Sequence, residues 1–382
     1  MKRIRLILAA VVLCLVMGCG SSSNAEELVI GMLQDLSGAT GLQGIGQQRG
    51  VQMKVEEINN AGGINGTTIR LVEYDIKADV TESINAYRRM IELDKVSIVI
   101  GPSISNIGIA LAPLSEVYKI PVVGAFLDDR TVQKEDGSAY KYMFMAQPSA
   151  SQQAEVIVKY AINELGAKNF AVLYNAGNAY CVSLYMPFVK FVEEIGGNVV
   201  AIETFQDADR DYRTQLTKIK DAQPDALYIP NYPAQVPLCV QQAREIGFEG
   251  ALLGANNMLP TIFLAGDLGY NTTYFPYNII FDNEDIQEFD KEFQERWEFE
   301  TNAQVFIATD ALSIIVAAYE KAGSTNPEAL TEAIEGITVN GWMGAFTISE
   351  ETHKPIGLPM GILNIIDDGQ PNTLAIISTT SR

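Results

Sequence analysis

Chemistry-bearing side chains recur just past the ends of short apolar runs in this 382-residue chain. Ser105 follows Val96–Ile100, and Phe126 to Asp128 follow Pro121–Gly124. Tyr180 follows Phe170–Tyr174, Tyr232 follows Ala226–Ile229, and Asn256 follows Ala251–Leu253. Hydroxyls, a carboxylate and an amide supply donors and acceptors, and the aromatic rings add apolar area. This is equipment for holding a small molecule by reversible contacts. If the runs are parallel strands, the residues sit beyond their carboxyl ends, where ligands of open α/β sheets bind. Two such edges facing one another form a cleft between domains, a favoured place for a small-molecule site. For any single Tyr, a packing role is an equal alternative. Placing five positions alike is harder to explain by packing alone.

Residues for covalent chemistry are sparse. His353 is the one histidine, so a two-histidine metal site within one chain is excluded and a His-based triad could use only that residue. No Gly-x-Ser-x-Gly elbow, Gly-Lys-Ser/Thr phosphate loop, His-Glu-x-x-His or Cys-x-x-Cys occurs. Gly44-x-Gly46-x-x-x-Gly50 resembles a dinucleotide fingerprint, but ten residues separate it from the apolar run ending at Leu33. The fingerprint needs its glycines in the turn directly after the strand. Asp207, Asp209 and Asp211 alternate like the start of a calcium loop. Tyr212 stands where that loop needs glycine and Lys218 where it needs glutamate, so a solvated turn is the better reading. Asp128-Asp129 and Asp367-Asp368 are neighbours in sequence, and neighbours usually point apart. The chain is expected to need no cofactor and no metal.

The elements that must position these residues alternate. Strand-like runs at 28–33, 69–74, 96–100 and 121–124 are separated by helical stripes at 47–59, 83–93 and 107–118. The pattern restarts after 145–151. Helical stretches at 154–165, 184–195, 212–221 and 236–246 interleave with strands at 170–174, 199–205, 226–229 and 251–253. Helices follow at 286–299 and 306–322, then short strands and turns over 341–366. Such alternation implies parallel sheets with helices on both faces, in two lobes of similar build.

The N-terminus reads as an export signal. Lys2, Arg3 and Arg5 precede an apolar run of twelve residues, Leu6–Met17. That is too short for a bilayer span of about 20 residues and right for a signal peptide. Val16-Met17-Gly18-Cys19 resembles a bacterial lipobox, with Cys19 as the lipidated residue, and Gly20 to Asn24 would be a flexible tether. An ordinary signal with an incidental cysteine is the alternative. Loss of residues 1–18 changes the formal charge from −20 to −23, with 24 basic against 47 acidic residues. So acidic a surface repels phosphate backbones, which argues against nucleic acid as a partner. Cys181 and Cys239 remain in the body; a disulfide and two separate thiols are both open.

Taken in order, the motifs make the chain similar to the branched-chain amino-acid (leucine/isoleucine/valine) binding protein family of ABC transporters. They are Leu36-Ser37-Gly38, Ile58-Asn59-Asn60-Ala61-Gly62-Gly63-Ile64-Asn65-Gly66, Gly101-Pro102 before Ser105, Ala112-Pro113, Ile120-Pro121-Val122 and Thr309-Asp310-Ala311. The resemblance implies an α/β, type I periplasmic binding fold, with two Rossmann-like lobes and parallel central sheets joined by three crossover segments. The crossovers are expected near 147, 277 and 341. The expected division is residues 1–18 signal peptide, 19–26 tether, 27–147 plus 278–341 lobe 1, and 148–277 plus 342–382 lobe 2.

It further implies a binding protein that is no enzyme. The protein would sit in the cell envelope, anchored through Cys19, and close on a small solute for a membrane permease and its ATPase. In that family, the Ser105 position, backbone groups and a Thr near 126–128 hold a carboxylate. An acidic residue at the Asn256 position takes the ammonium, and aromatics at the Tyr180 and Tyr232 positions close over the ligand. Ser105, Phe126, Asp128, Tyr180, Tyr232 and Asn256 are therefore the candidate binding residues. Two of them depart from the pattern: Asp128 stands for the Thr and Asn256 for the acid. A like charge beside a buried carboxylate would cost several kcal/mol. Either Asp128 points away or the solute is not held as a standard α-amino acid, and Asn256 suits an amide, hydroxyl or carbonyl. A sensor reporting the ligand to a signalling partner, and an exported hydrolase using Asp128, remain as alternatives.

Overall fold

The computed structural model describes residues 27–232, 234–278, 284–367 and 369–380. The signal, tether and Cys19 lie outside the described residues, as does most of the segment following 278. The first sheet holds β1 (Glu27–Gln34), β2 (Thr68–Asp75), β3 (Ile98–Gly101), β4 (Val122–Gly124) and β5 (Met143–Met145). Its order is β2-β1-β3-β4-β5, all parallel. Strands β6 (Asn169–Asn175), β7 (Asn198–Phe205), β8 (Ala226–Tyr228), β9 (Ala251–Leu253) and β10 (Thr273–Tyr277) form the parallel body of a second sheet. A small antiparallel sheet of β11 (Thr338–Gly341), β12 (Gly344–Ile348) and β13 (Pro355–Ile356) follows. Finally β14 (Pro359–Ile365) and β15 (Pro371–Ser378) add an antiparallel edge to the second sheet beside β10.

The helices are α1 (Gly41–Asn60), α2 (Val80–Arg89), α3 (Ser105–Tyr118), α4 (Ala150–Asn163), α5 (Ala179–Glu194), α6 (Arg213–Asp221), α7 (Val236–Glu245), α8 (Leu259–Ile262), α9 (Glu284–Trp297), α10 (Ala303–Ala322) and α11 (Pro327–Ile334). Strand residues such as Ile30, Val99, Val172 and Leu227 are fully buried, as apolar runs inside two-sided parallel sheets must be. Each large aliphatic side chain so buried contributes roughly 1.5–3 kcal/mol.

The glycines of Gly44-x-Gly46-x-x-x-Gly50 serve packing. A Cβ on Gly44 would lie 1.8 Å from the Asp35 carbonyl oxygen, and one on Gly50 would lie 2.7 Å from a Val305 methyl. Their absence lets α1 press against the loop before it and against α10. The loop itself is pinned by Asp35, whose buried carboxylate accepts from the Gly38 and Thr40 amides at 2.6 and 2.7 Å.

The chain leaves the first sheet after β5 and starts α4 with a capping box. Ser149 and Gln152 exchange bonds of 2.9 and 3.4 Å, which fixes where the helix begins. It returns to the first lobe through α9 and α10, since the Phe289 ring of α9 packs at a tilt on Phe306 and α10 packs on α1. The third passage differs from the expected position near 341. His353, which follows β12, stacks on Phe144 of β5 at 4.3 Å and donates from Nδ1 to the Met143 carbonyl at 3.0 Å. The chain thus enters the second sheet only between β13 and β14. Apolar residues Phe346 and Ile348 bury the small sheet and hold it on this side.

Candidate functional site

In a parallel α/β layer every strand end passes into a helix amino end, so loops and first helical turns gather on one edge. Here the two edges face each other across a cavity of about 720 Å³. Five of the six expected residues line it: Ser105, Asp128, Tyr180, Tyr232 and Asn256. Phe126 does not, and its assignment to the cleft is corrected. Its ring is fully buried in the first lobe. A Cβ on Gly101, Gly108 or Gly124 would come within 2.8 Å of that ring. Those three glycines leave the space the ring fills, and its neighbours Leu127 and Asp128 reach the cavity instead.

Ser105 opens α3. Its Oγ accepts from the Leu127 and Asp128 amides, each at 3.2 Å. With both lone pairs engaged, the hydroxyl proton is what Ser105 has to offer a ligand. Asp128 is buried, and its carboxylate accepts from the Arg130 amide at 3.0 Å, Nε at 3.0 Å and Nη2 at 2.6 Å. Its charge is answered locally, and hydrogen bonding to Asp128 raises the Arg130 pKa. The next residue, Asp129, turns to Ser151 Oγ at 2.8 Å and to Lys354, so the adjacent carboxylates do point apart.

From the second lobe, Asn178 caps α5 by accepting from the Tyr180 and Cys181 amides at 3.0 and 3.3 Å. This sets Tyr180 at the cavity wall, with its ring stacked on Tyr232 at 5.1 Å and an interplanar angle of 19°. Burial raises the Tyr180 phenol well above its ordinary pKa, so the ring keeps its proton. Its hydroxyl has no hydrogen-bond partner among the described residues, nor does Oδ1 of Asn256, Asn257 or Asn278. Cys181 and Cys239 are free, buried thiols. Burial pushes Cys181 up to about 12 and raises Cys239 as well, which suits inert packing.

Sequence reasoning missed most of the amides around the cavity. Gln147 and Asn278 stand where the chain passes between lobes, 3.5 Å apart. Asn302 caps α10 by accepting from the Gln304 amide at 2.9 Å, and both residues line the cavity. The caps Asn178 and Asn302 carried a signal, an Asn directly before an apolar helical stripe. Nothing in the sequence marked Gln304, which reaches the cleft on a helix entering from the far end of the chain. Among the described residues, no group of three His, Cys, Asp or Glu side chains could hold a metal ion.

The periplasmic binding protein family model matches residues 27–370. A leucine-, isoleucine-, valine-, threonine- and alanine-binding protein of Pseudomonas aeruginosa is 25% identical over 322 residues, 83% of this chain and 84% of that one. A leucine-binding protein of Thermotoga maritima has a solved structure with a TM-score of 0.76 and 25% identity, covering 92% of this chain and 98% of that one. The solute-binding protein of an ABC transporter from Rhodopseudomonas palustris BisB5, solved with 3,4-dihydroxybenzoic acid, shares the fold at a TM-score of 0.76 and 18% identity, over 93% of this chain and 98% of that one. These relatives are solute-binding proteins of the type I, two-lobed architecture. With the match spanning both sheets and the cavity between them, this chain belongs to the periplasmic binding protein family.

Proposed function

We propose that the chain is the extracytoplasmic solute-binding lipoprotein of an ABC importer, and that it takes a small polar solute into the cavity between its lobes. The observation that carries this is the set of unpartnered buried polar atoms on residues lining that one cavity, Tyr180 Oη and Oδ1 of Asn256, Asn257 and Asn278. Groups taken from water without a partner destabilise the empty protein, and a ligand that satisfies them is bound correspondingly well. A solute touching Ser105 on one side and Tyr180 and Tyr232 on the other favours the closed arrangement of the lobes, because only that arrangement makes both sets of contacts. The permease then reads the closed shape. The basic start, the apolar run and Cys19 support export and lipid anchoring.

The test is a thermal-shift screen of purified residues 24–382 against amino acids, amides and organic acids. A cognate solute at 100 times its Kd adds about 2.7 kcal/mol of stability. A broad screen without any shift counts against the proposal. Release of the Cys19→Ser protein from the membrane fraction checks the anchor.

A further inference from the structure

We propose that the solute is uncharged and rich in N–H or O–H donors, an amide- or polyol-class compound and not a zwitterion or a carboxylate; this rests on the cleft reading above. Among the described residues lining the cavity, Asp128 is the one with a formal charge. That carboxylate is already held by Arg130 through three bonds of 2.6–3.0 Å. A zwitterion would bury an ammonium and a carboxylate against a wall with no charge left to answer either. Desolvating an ion without a partner is unfavourable.

Several backbone donors along the wall are also taken. Leu127 and Asp128 amides go to Ser105 Oγ, those of Tyr180 and Cys181 to Asn178, and that of Gln304 to Asn302. The net negative charge, −23 without residues 1–18, adds an overall field that disfavours the approach of anions.

What the wall does offer is amide. Oδ1 of Asn256, Asn257 and Asn278 each lacks a partner, and Asn278 is only 2% exposed. Carbonyl oxygens left so are acceptors waiting for donors. Ser105 supplies the complementary hydroxyl proton, and Tyr180 adds a hydroxyl that can donate or accept. An amide, a urea or a polyol presents such donors and acceptors together with no net charge at any atom. Exchanging oxygen for nitrogen in any of these side chains alters which partner is wanted and leaves the wall neutral.

The experiment is isothermal titration of the exported chain with four sets of probes. The first is acetamide and urea; the second glycerol, ribose and inositol; the third leucine, valine and alanine; the fourth benzoate and p-hydroxybenzoate. Binding confined to the first or second set is expected, with the two sets distinguishing amide from polyol. Affinity should change less than twofold between 20 and 500 mM NaCl. Asn256→Leu should weaken that binding at least tenfold without lowering the melting temperature of the empty protein. Binding confined to the third or fourth set, lost in Tyr180→Ala, overturns the inference and leaves the cleft reading standing. No binding by any set overturns both. If Asn256→Leu does not fold, the probe selectivity and salt dependence of the unaltered protein still decide.

Discussion

Tyr180→Phe separates the demands of the empty protein from those of the occupied one. The substitution keeps the ring stacked on Tyr232 at 5.1 Å and removes one oxygen. That oxygen is buried and without a partner among the described residues. Because burial raises the phenol pKa, no charge is lost near neutral pH. An unsatisfied buried hydroxyl costs about 1–3 kcal/mol, so its removal stabilises the empty protein by about 1 kcal/mol. With an unfolding entropy of about 2 cal/mol/K per residue, the melting temperature rises about 1–2 °C. Binding moves the other way. Loss of one net hydrogen bond, about 0.5–1.5 kcal/mol, raises Kd about 2- to 13-fold. Tyr180→Ala also loses the ring and costs about 1–3 kcal/mol of affinity. Thermal melts of the empty protein and titration of its ligand read the two effects separately. An empty Tyr180→Phe protein that melts lower, with affinity unchanged, would refute the reasoning, because the hydroxyl would then serve the fold.

Arg130→Met leaves the buried Asp128 carboxylate without its guanidinium and should lower the unfolding free energy measured in urea by about 1–2 kcal/mol, a figure reduced for the exposure of Arg130. Adding Asp128→Asn should restore most of that loss. Phe126→Ala empties the space between Gly101, Gly108 and Gly124 and should cost about 3–5 kcal/mol of stability, with affinity retained in the folded fraction. Burial raises the Asp310 carboxyl from 3.8 to about 7, against the lowering effect of bonds from the Trp342 and Met343 amides. A native pKa above the unfolded one means the folded protein holds more protons. This contribution is fully present below about 3.8 and is lost as pH rises to about 7, by roughly 4 kcal/mol at most. Asp310→Asn should flatten urea midpoints measured across that range, and an unchanged slope would remove the assignment.

Local pattern was enough for the strands around Ile30, Val99, Val172 and Leu227, because apolar runs of this length can be buried only in the middle of a two-sided layer. It was also enough to set Ser105 and Asp128 on the loop-bearing edge of the first sheet and Tyr180, Tyr232 and Asn256 on that of the second, since in a parallel sheet every strand's carboxyl end lies on the same side. The sequence was silent where burial is decided by distant partners. Strand β10 carries Pro276, and the apolar run Leu374–Ile377 of β15 stays half-exposed or exposed on a sheet edge, so neither follows the buried-run pattern of the inner strands. The small sheet stays with the first lobe because His353 stacks on Phe144, more than two hundred residues away in the chain.

Within the cleft the same division holds. Phe126 and Asp128 are two residues apart and alike in position, yet one ring enters the core and one carboxylate reaches the cavity wall. Three glycines contributed by separate elements make the space for that ring, and Arg130 makes the carboxylate harmless. Periodicity along a chain records which face of an element is apolar. It does not record the shape of the void that other elements leave, and that shape determined which side chains are free to meet a solute.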